Sequence, residues 1–244
     1  MAFFSQKTGQ FRYFATQLGE ADWRGRNVLD FGGNIGNILR DPDSTIDAAR
    51  YWCMDVDREA LDRGKSLHPT AHWLFYDRYC FYFNPRGRPG LTLPQFDRRF
   101  DYILAYSVFT NTFRSDMLDL VKQLAALLDP GGRLAFTFID PHYRSWPGSF
   151  DGDNLKWRLV RDNKERPEVD RDALMARASG ARWCVLVNGR DLFLETDAIG
   201  TYPVECQRSC HVFYTEAYMR SLYPDAAILP PANDEMQHCC IIDA

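Results

Sequence analysis

The chain predicts a doubly wound α/β sheet, and three observations carry that prediction. The first is Asn27-Val28-Leu29-Asp30-Phe31-Gly32-Gly33-Asn34-Ile35-Gly36-Asn37, a short apolar strand that breaks into a glycine-rich turn and opens a helix. Such a turn admits positive φ and lets a ligand approach main-chain N–H groups without a Cβ in the way. The second is another apolar strand, Tyr51-Trp52-Cys53-Met54-Asp55, ending on an acid. Asp55 stands about twenty residues past the turn, the register at which a strand-end carboxylate faces a ribose; its competing role is a helix N-cap. The third is the repetition of near-continuous apolar strands joined by helices, the pattern of a parallel sheet covered on both faces.

The elements follow in order. Phe11, Phe14, Ala15 and Leu18 give a leading helix within residues 1–26, ended by Gly19 and placed to close over a ligand pocket. A helix is expected from Asn34 to Arg40, stopped by Asp41-Pro42-Asp43, and another from Arg58 to Ser66. Ala71–Tyr76 is a third strand, ending on Asp77, whose natural partner is the exocyclic amine of an adenine. Residues 79–97 are aromatic and then Pro/Gly/Arg-rich, and read as a flap beside the site. Phe100–Tyr106 is a central strand, Ser115–Leu128 an amphipathic helix, and Arg133–Ile139 a fifth strand after an Asp129-Pro130-Gly131-Gly132 turn. Residues 140–163 show no period. A short helix is expected over 170–178, a β-hairpin over 182–194 on Asn188-Gly189, a helix over 215–222, and two last strands over 226–229 and 238–242. The chain therefore reads as one domain, 1–244, with an insertion over 141–213.

Composition narrows the function. The net charge is −4 and no basic run stands out, which argues against a nucleic-acid partner. The first residues lack the pattern of a signal peptide and no apolar window approaches 18 residues, so a soluble chain without membrane attachment is expected. Seven cysteines, an odd number, suit a reducing cytoplasm. Cys206, Cys210 and His211, and His238-Cys239-Cys240, lack the spacing of a zinc knuckle, and no metal is expected. The dinucleotide pattern G-x-G-x-x-G is not met, because Asn34 holds the middle position and Asn37 the last; a nicotinamide-dependent oxidoreductase is thereby disfavoured.

Taken together, these stretches resemble the class I S-adenosylmethionine-dependent methyltransferases, from about residue 26 to 140 and again from 214 to 242. Val28–Gly36 is similar to the family's glycine motif, which cradles the methionine end of the cofactor; Cys53–Asp57 to the motif whose acid holds the ribose; Leu74–Asp77 to the motif whose Asp meets the adenine amine; Phe100–Ile103 with Ser107–Thr110 to the fourth motif; and Leu127–Leu134 to the turn before strand five. The resemblance implies a Rossmann-like seven-stranded sheet with its last strand antiparallel, and S-adenosylmethionine as cofactor. It implies cofactor contacts from Asp30, Gly32, Gly33, Asn34, Gly36, Asp55, Val56, Asp77, Arg78, Ala105 and Tyr106. Two positions depart from the family: Asn34 replaces a glycine, and Asn111 stands where relatives often have His.

Methyl transfer needs an in-line approach, a dry pocket and in some cases a base. The base candidates are His142 first, then Tyr106 and His211; Asn111, Tyr143 and Trp146 are the candidate substrate contacts. Ala105-Tyr106 offers no acid for a metal-dependent O-methyl transfer. Asp140-Pro141-His142-Tyr143 looks like a base-methylation motif but follows the wrong strand. The expected function is methylation of a small-molecule metabolite or natural product by a monomer or homodimer. The alternative is a catalytically silent binding or scaffold protein on the same fold.

Overall fold

A computed structural model describes residues 9–80, 83–144, 152–197, 210–232 and 236–244. Its main sheet has seven strands: β1 (Val28–Phe31), β2 (Tyr51–Asp55), β3 (His72–Phe75), β4 (Phe100–Ala105), β5 (Leu128–Phe138), β9 (Ala227–Leu229) and β10 (His238–Asp243). They lie in the order β3-β2-β1-β4-β5-β10-β9. β1 to β5 are parallel, and β10 runs antiparallel to both β5 and β9, so only the last strand is reversed. The short return from β9 to β10 requires that reversal, since a parallel neighbour needs a crossover of a dozen residues or more.

Alternation across the strands builds two cores. Leu29, Phe31, Trp52, Met54, Ile103, Phe136 and Phe138 enter one. Val28, Tyr51, Cys53, Tyr102, Leu104 and Ala135 enter the other. On the first face lie helix α3 (Arg114–Ala125), through Met117, Leu120, Val121 and Leu124, and helix α6 (Glu216–Leu222). The second face holds α1 (Gln10–Leu18) and Leu61 of α2 (Arg58–Leu67). The apolar stripe read for α1 is buried as Phe11, Phe14 and Leu18, and Gly19 ends the helix in the left-handed region.

Residues after β5 form a second layer. Helices α4 (Asn154–Asp162) and α5 (Arg171–Ala178) precede a three-stranded antiparallel sheet of β6 (Trp183–Val187), β7 (Asp191–Leu194) and β8 (Cys210–Tyr214), ordered β7-β6-β8. One face of this sheet joins the main core through Trp183, Val185, Val187, Cys210, Val212 and Tyr214. The other packs on Leu155, Leu159 and Leu174 of α4 and α5.

The structure corrects several sequence expectations. No regular helix runs from Asn34 to Arg40; the segment is a chain of turns, because Asn34 at φ 55° and Gly36 at φ 78° are left-handed and break the helical ladder. The Asp129–Gly132 turn lies inside β5 as an irregularity: Phe100 pairs Leu128, yet Tyr102 pairs Arg133. Accordingly α3 ends at Ala125 rather than Leu128. Helix α4 lies in the stretch that shows no period; its signals are the Asp153 cap, which accepts from Lys156 N, and the Leu155/Leu159 pair. The hairpin over 182–194 forms with Val187 paired to Asp191 across a three-residue loop, in which Asn188 and Gly189 both sit at positive φ and Arg190 N donates to Val187 O at 3.1 Å, as in a primed turn.

Candidate functional site

A cavity of about 280 Å³ opens at the C-terminal ends of β1, β2 and β4, where a doubly wound sheet binds its ligand. Its floor is the glycine turn. Gly32 sits at φ 78° and donates its N–H to Met54 O at 2.7 Å; a Cβ there would stand 2.4 Å from Val108 Cγ2. Only glycine provides both the backbone angle and the room. Gly33 is packed just as closely, since a Cβ would stand 2.5 Å from Asp30 Oδ2.

Asp55 lines the cavity. Its Oδ2 accepts from Asn34 N at 2.7 Å and its Oδ1 from Asp57 N at 2.9 Å. A carboxylate has about four acceptor positions, so two backbone bonds leave each oxygen able to take a further donor. The cap of α2 belongs to Asp57, which accepts from Ala60 N, so capping is not what holds Asp55 in this position. Burial pushes the Asp55 carboxyl up to about 6, against the two backbone N–H groups that favour its charge. Asp30 lies beneath the turn and outside the lining, accepting from Tyr51 Oη at 2.6 Å; burial pushes it up to about 7, and the Asp55 charge adds to that. Asn34 and Asn37 both line the cavity, and the buried side-chain oxygen of each has no hydrogen-bond partner among the described residues.

The far wall differs from the sequence expectation. Tyr76 and Arg78 line the cavity and Asp77 does not. Asp77 accepts from Asn84 Nδ2 at 3.2 Å and lies 3.7 Å from Arg88 Nε, on the side of the flap. Arg78 is buried, bonded to Asp116 and, at 2.8 Å, to Asp119, and donates to Leu91 O at 2.9 Å. Burial disfavours its charge, but Asp116, Tyr76 and Asp119 outweigh that and raise its pKa.

The loop after β4 supplies Tyr106, Ser107, Val108 and Asn111 to the lining, and α1 lays Gln10 across it. Tyr79, Cys80 and Phe83 of the flap and Phe113, Asp116 and Leu120 around α3 complete the wall. Of the expected cofactor contacts the cavity thus gathers Gly32, Asn34, Asp55, Val56, Arg78 and Tyr106. Asp30, Gly33, Gly36, Asp77 and Ala105 lie outside its lining.

Among the base candidates, Tyr106 alone lines the cavity; its ring is edge-on to Tyr13 at 5.5 Å. His142 lies apart, 3.6 Å from Asp153, whose hydrogen bond raises the imidazole pKa. His211 lies on the α4 side of the small sheet, 3.9 Å from Asp162. Burial, with Arg158 and Arg161, holds it well below the ordinary imidazole range. Tyr143 stands edge-on to buried His238 at 4.6 Å, outside the lining, while Asn111 is within it. Trp146 falls outside the described residues, as do Phe81 and Tyr82 of the flap. Sequence reasoning missed Gln10, Tyr76 and Asp116; Tyr76 and Arg78 flank Asp77 in a tight turn closed by Arg78 N on Tyr76 O at 2.8 Å, which no local sequence signal marks. Among the described residues no group of three His, Cys, Asp or Glu could hold a metal, and no helix is long and apolar enough to cross a membrane.

The cavity lies where a doubly wound sheet binds its ligand, and comparison with known proteins places the fold among methyltransferases. Residues 29–134 match the family model described as a methyltransferase domain. The glycopeptide N-methyltransferase MtfA, solved with S-adenosyl-L-homocysteine, superposes with TM-score 0.52 at 14% identity, over 99% of this chain and 91% of that one. An S-adenosylmethionine-dependent methyltransferase from Mesorhizobium loti gives 0.51 at 14% identity, over 97% and 99%. The match over residues 29–134 is thus similar to a methyltransferase domain, and the superpositions show that the chain shares the fold of these S-adenosylmethionine-dependent methyltransferases.

Proposed function

We propose that this chain transfers the methyl group of S-adenosylmethionine to a small-molecule acceptor, and that Asp55 is its principal cofactor contact. The single observation that supports this most is the Asp55 carboxylate on the cavity wall, fixed by two backbone N–H groups and still able to accept from two more donors. The two hydroxyls of a ribose are donors of that kind. Gly32 brings main chain to the cavity wall without a side chain, and the side-chain oxygens of Asn34 and Asn37 suit the ammonium of the methionine end. When bound, the cofactor supplies an electrophilic methyl on a cationic sulfur. The protein's part is to orient it along the glycine turn, to exclude water with apolar residues such as Phe31, Val108 and Phe113, and to present the acceptor beside Tyr106 and Asn111. Cover over the cavity, from Gln10 of α1 and from Tyr79 and Phe83 of the flap, favours an acceptor of small-molecule size. The segment 141–213 is proposed as the cap that selects it.

A thermal shift tests the reading. S-adenosylhomocysteine at about 100 times its dissociation constant adds roughly 2.7 kcal/mol, which raises the Tm of a chain this size by about 5–10 °C. The expected result is a shift with S-adenosylhomocysteine, absent with NAD and lost in Asp55→Ala. Release of S-adenosylhomocysteine in the presence of a panel of O-, N-, S- and C-nucleophiles then identifies the acceptor. No shift with either ligand would return the chain to the silent binding reading.

A further inference from the structure

Between the end of β4 and the start of β10 lies a buried polar circuit that cofactor contacts leave unexplained. Ser107, directly after β4, lines the cavity at φ 58°, a left-handed angle uncommon for any residue but glycine, asparagine or aspartate. Its N–H donates to Thr137 Oγ1 at 2.8 Å. That bond makes the Thr137 hydroxyl an acceptor on this side, so its own proton goes to Gln237 Oε1, at 2.5 Å. The amide of Gln237 is thereby oriented, and its Nε2 donates to Ser107 Oγ at 2.5 Å, closing the ring on the residue where it began. Ser107 O in turn accepts from Thr110 Oγ1 at 2.9 Å and Asn111 Nδ2 at 3.1 Å.

A second arm reaches α1. Tyr13 Oη donates to Gln237 O at 2.9 Å, and the Tyr13 ring stands edge-on to Tyr106. Helix α1 is the element that lays Gln10 across the cavity. Thr137 is fully buried and Gln237 nearly so. Gln237 lies outside the lining, yet its side chain bonds the loop that carries Tyr106, Ser107 and Asn111, and its backbone holds the helix that covers them.

We infer that Gln237 is a positioning residue that couples the cover helix α1 to the loop after β4, so that the two order together when the cofactor site closes. The inference rests on the methyl-donor reading for its ligand, but the coupling itself belongs to the free protein.

Amide hydrogen exchange on the full ligand-free chain, paired with S-adenosylhomocysteine titration, tests it with Gln237→Met, Thr137→Val, Thr137→Ser and Tyr13→Phe. Gln237→Met and Thr137→Val are expected to speed exchange together in residues 10–18 and 106–111, leaving β6 and β7 unchanged. They should weaken S-adenosylhomocysteine about tenfold, the factor one buried hydrogen bond is worth. Thr137→Ser keeps the hydroxyl and should stay within about twofold of the unmodified protein, and Tyr13→Phe should fall between. Exchange that rises equally in β6 and β7, or in only one of the two cavity segments, would overturn the coupling. So would Thr137→Val and Thr137→Ser behaving alike, which decides the matter even if Gln237→Met fails to fold. If the unmodified protein does not bind S-adenosylhomocysteine, the methyl-donor reading fails, while the exchange arm still decides whether the coupling exists.

Discussion

β2 and the strand beside it both run into an aspartate, and the two aspartates end in different places. β2 is buried along its whole length, and Asp55 at its end is fixed on the cavity wall by the N–H groups of Asn34 and Asp57. β3 is the edge strand and is only partly covered. Beyond it Tyr76 N still bonds Asp55 O at 2.9 Å, and Arg78 N bonds Tyr76 O at 2.8 Å, a tight γ-turn with Asp77 at its centre. Tyr76 and Arg78 then face the cavity, and Asp77 faces the flap, where Asn84 and Arg88 hold it. A strand-end acid reaches the cavity only where the backbone turns it inward, and past an edge strand one tight turn reverses the outcome.

That contrast can be broken by experiment, and Asp55 is where the largest effect lies. Asp55→Ala should weaken S-adenosylhomocysteine by about 100-fold or more, since each hydrogen bond to a charged group is worth about 1.5–3 kcal/mol. Isothermal titration measures it, and an affinity within a few-fold of the unmodified protein would remove Asp55 from the site.

Next comes the carboxyl beneath it. Asp30 stands at about 7 in the folded protein against an ordinary 3.8, so the folded state keeps a proton that the unfolded chain gives up. Stability from this group is therefore complete below about pH 4 and is lost as pH rises towards 7, on the order of 4 kcal/mol in all. Urea unfolding across that window should show the decline, and Asp30→Asn should flatten it; an unchanged slope would mean that Asp30 titrates as an exposed acid.

Arg78→Met is expected to cost about 1–3 kcal/mol, because it strands Asp116 and Asp119, both of which retain some solvent. A Tm lower by about 3–10 °C would register it. The pH dependence of binding is gentler. A ribose held by ionised Asp55 should bind more tightly as pH rises through about 6, by up to about tenfold per unit below that value. Asp77→Ala should be the smallest effect of all, within about twofold in affinity, because Asp77 bonds the flap alone; a loss approaching that of Asp55→Ala would place both acids on one ligand and erase the contrast.

Much of the frame was legible in the chain. The strand β1 and its glycine turn, the acid at the end of β2, the near-continuous apolar strands that make a two-sided sheet, and the Asn188-Gly189 hairpin all rest on local backbone preference and hydrophobic pattern. Less was legible where tertiary packing competes with a local signal. Asn34 reads as a helix start, yet its left-handed φ unwinds the segment through Arg40. The run Cys210-His211-Val212-Phe213-Tyr214 carries strand-forming residues, but its pairing with β6 connects positions more than twenty residues apart. His142 and His211 were attractive by residue type alone. One pairs with Asp153 near the surface and the other is buried against α4, and neither position follows from its neighbours in sequence.

Fold class, family resemblance and the glycine-plus-aspartate part of the candidate site can be read along the chain, because each depends on residues close together or on a fixed period. Which side chains meet at the cavity was settled by packing between distant segments. It turned Arg78 inward and Asp77 outward, brought Gln10 across from α1, and closed a ring of hydrogen bonds among Ser107, Thr137 and Gln237. The physical reason is range. Backbone preference and hydrophobic period act within a turn or a strand, whereas register at a sheet edge and the satisfaction of buried polar groups are settled between segments a hundred residues apart, when the core packs.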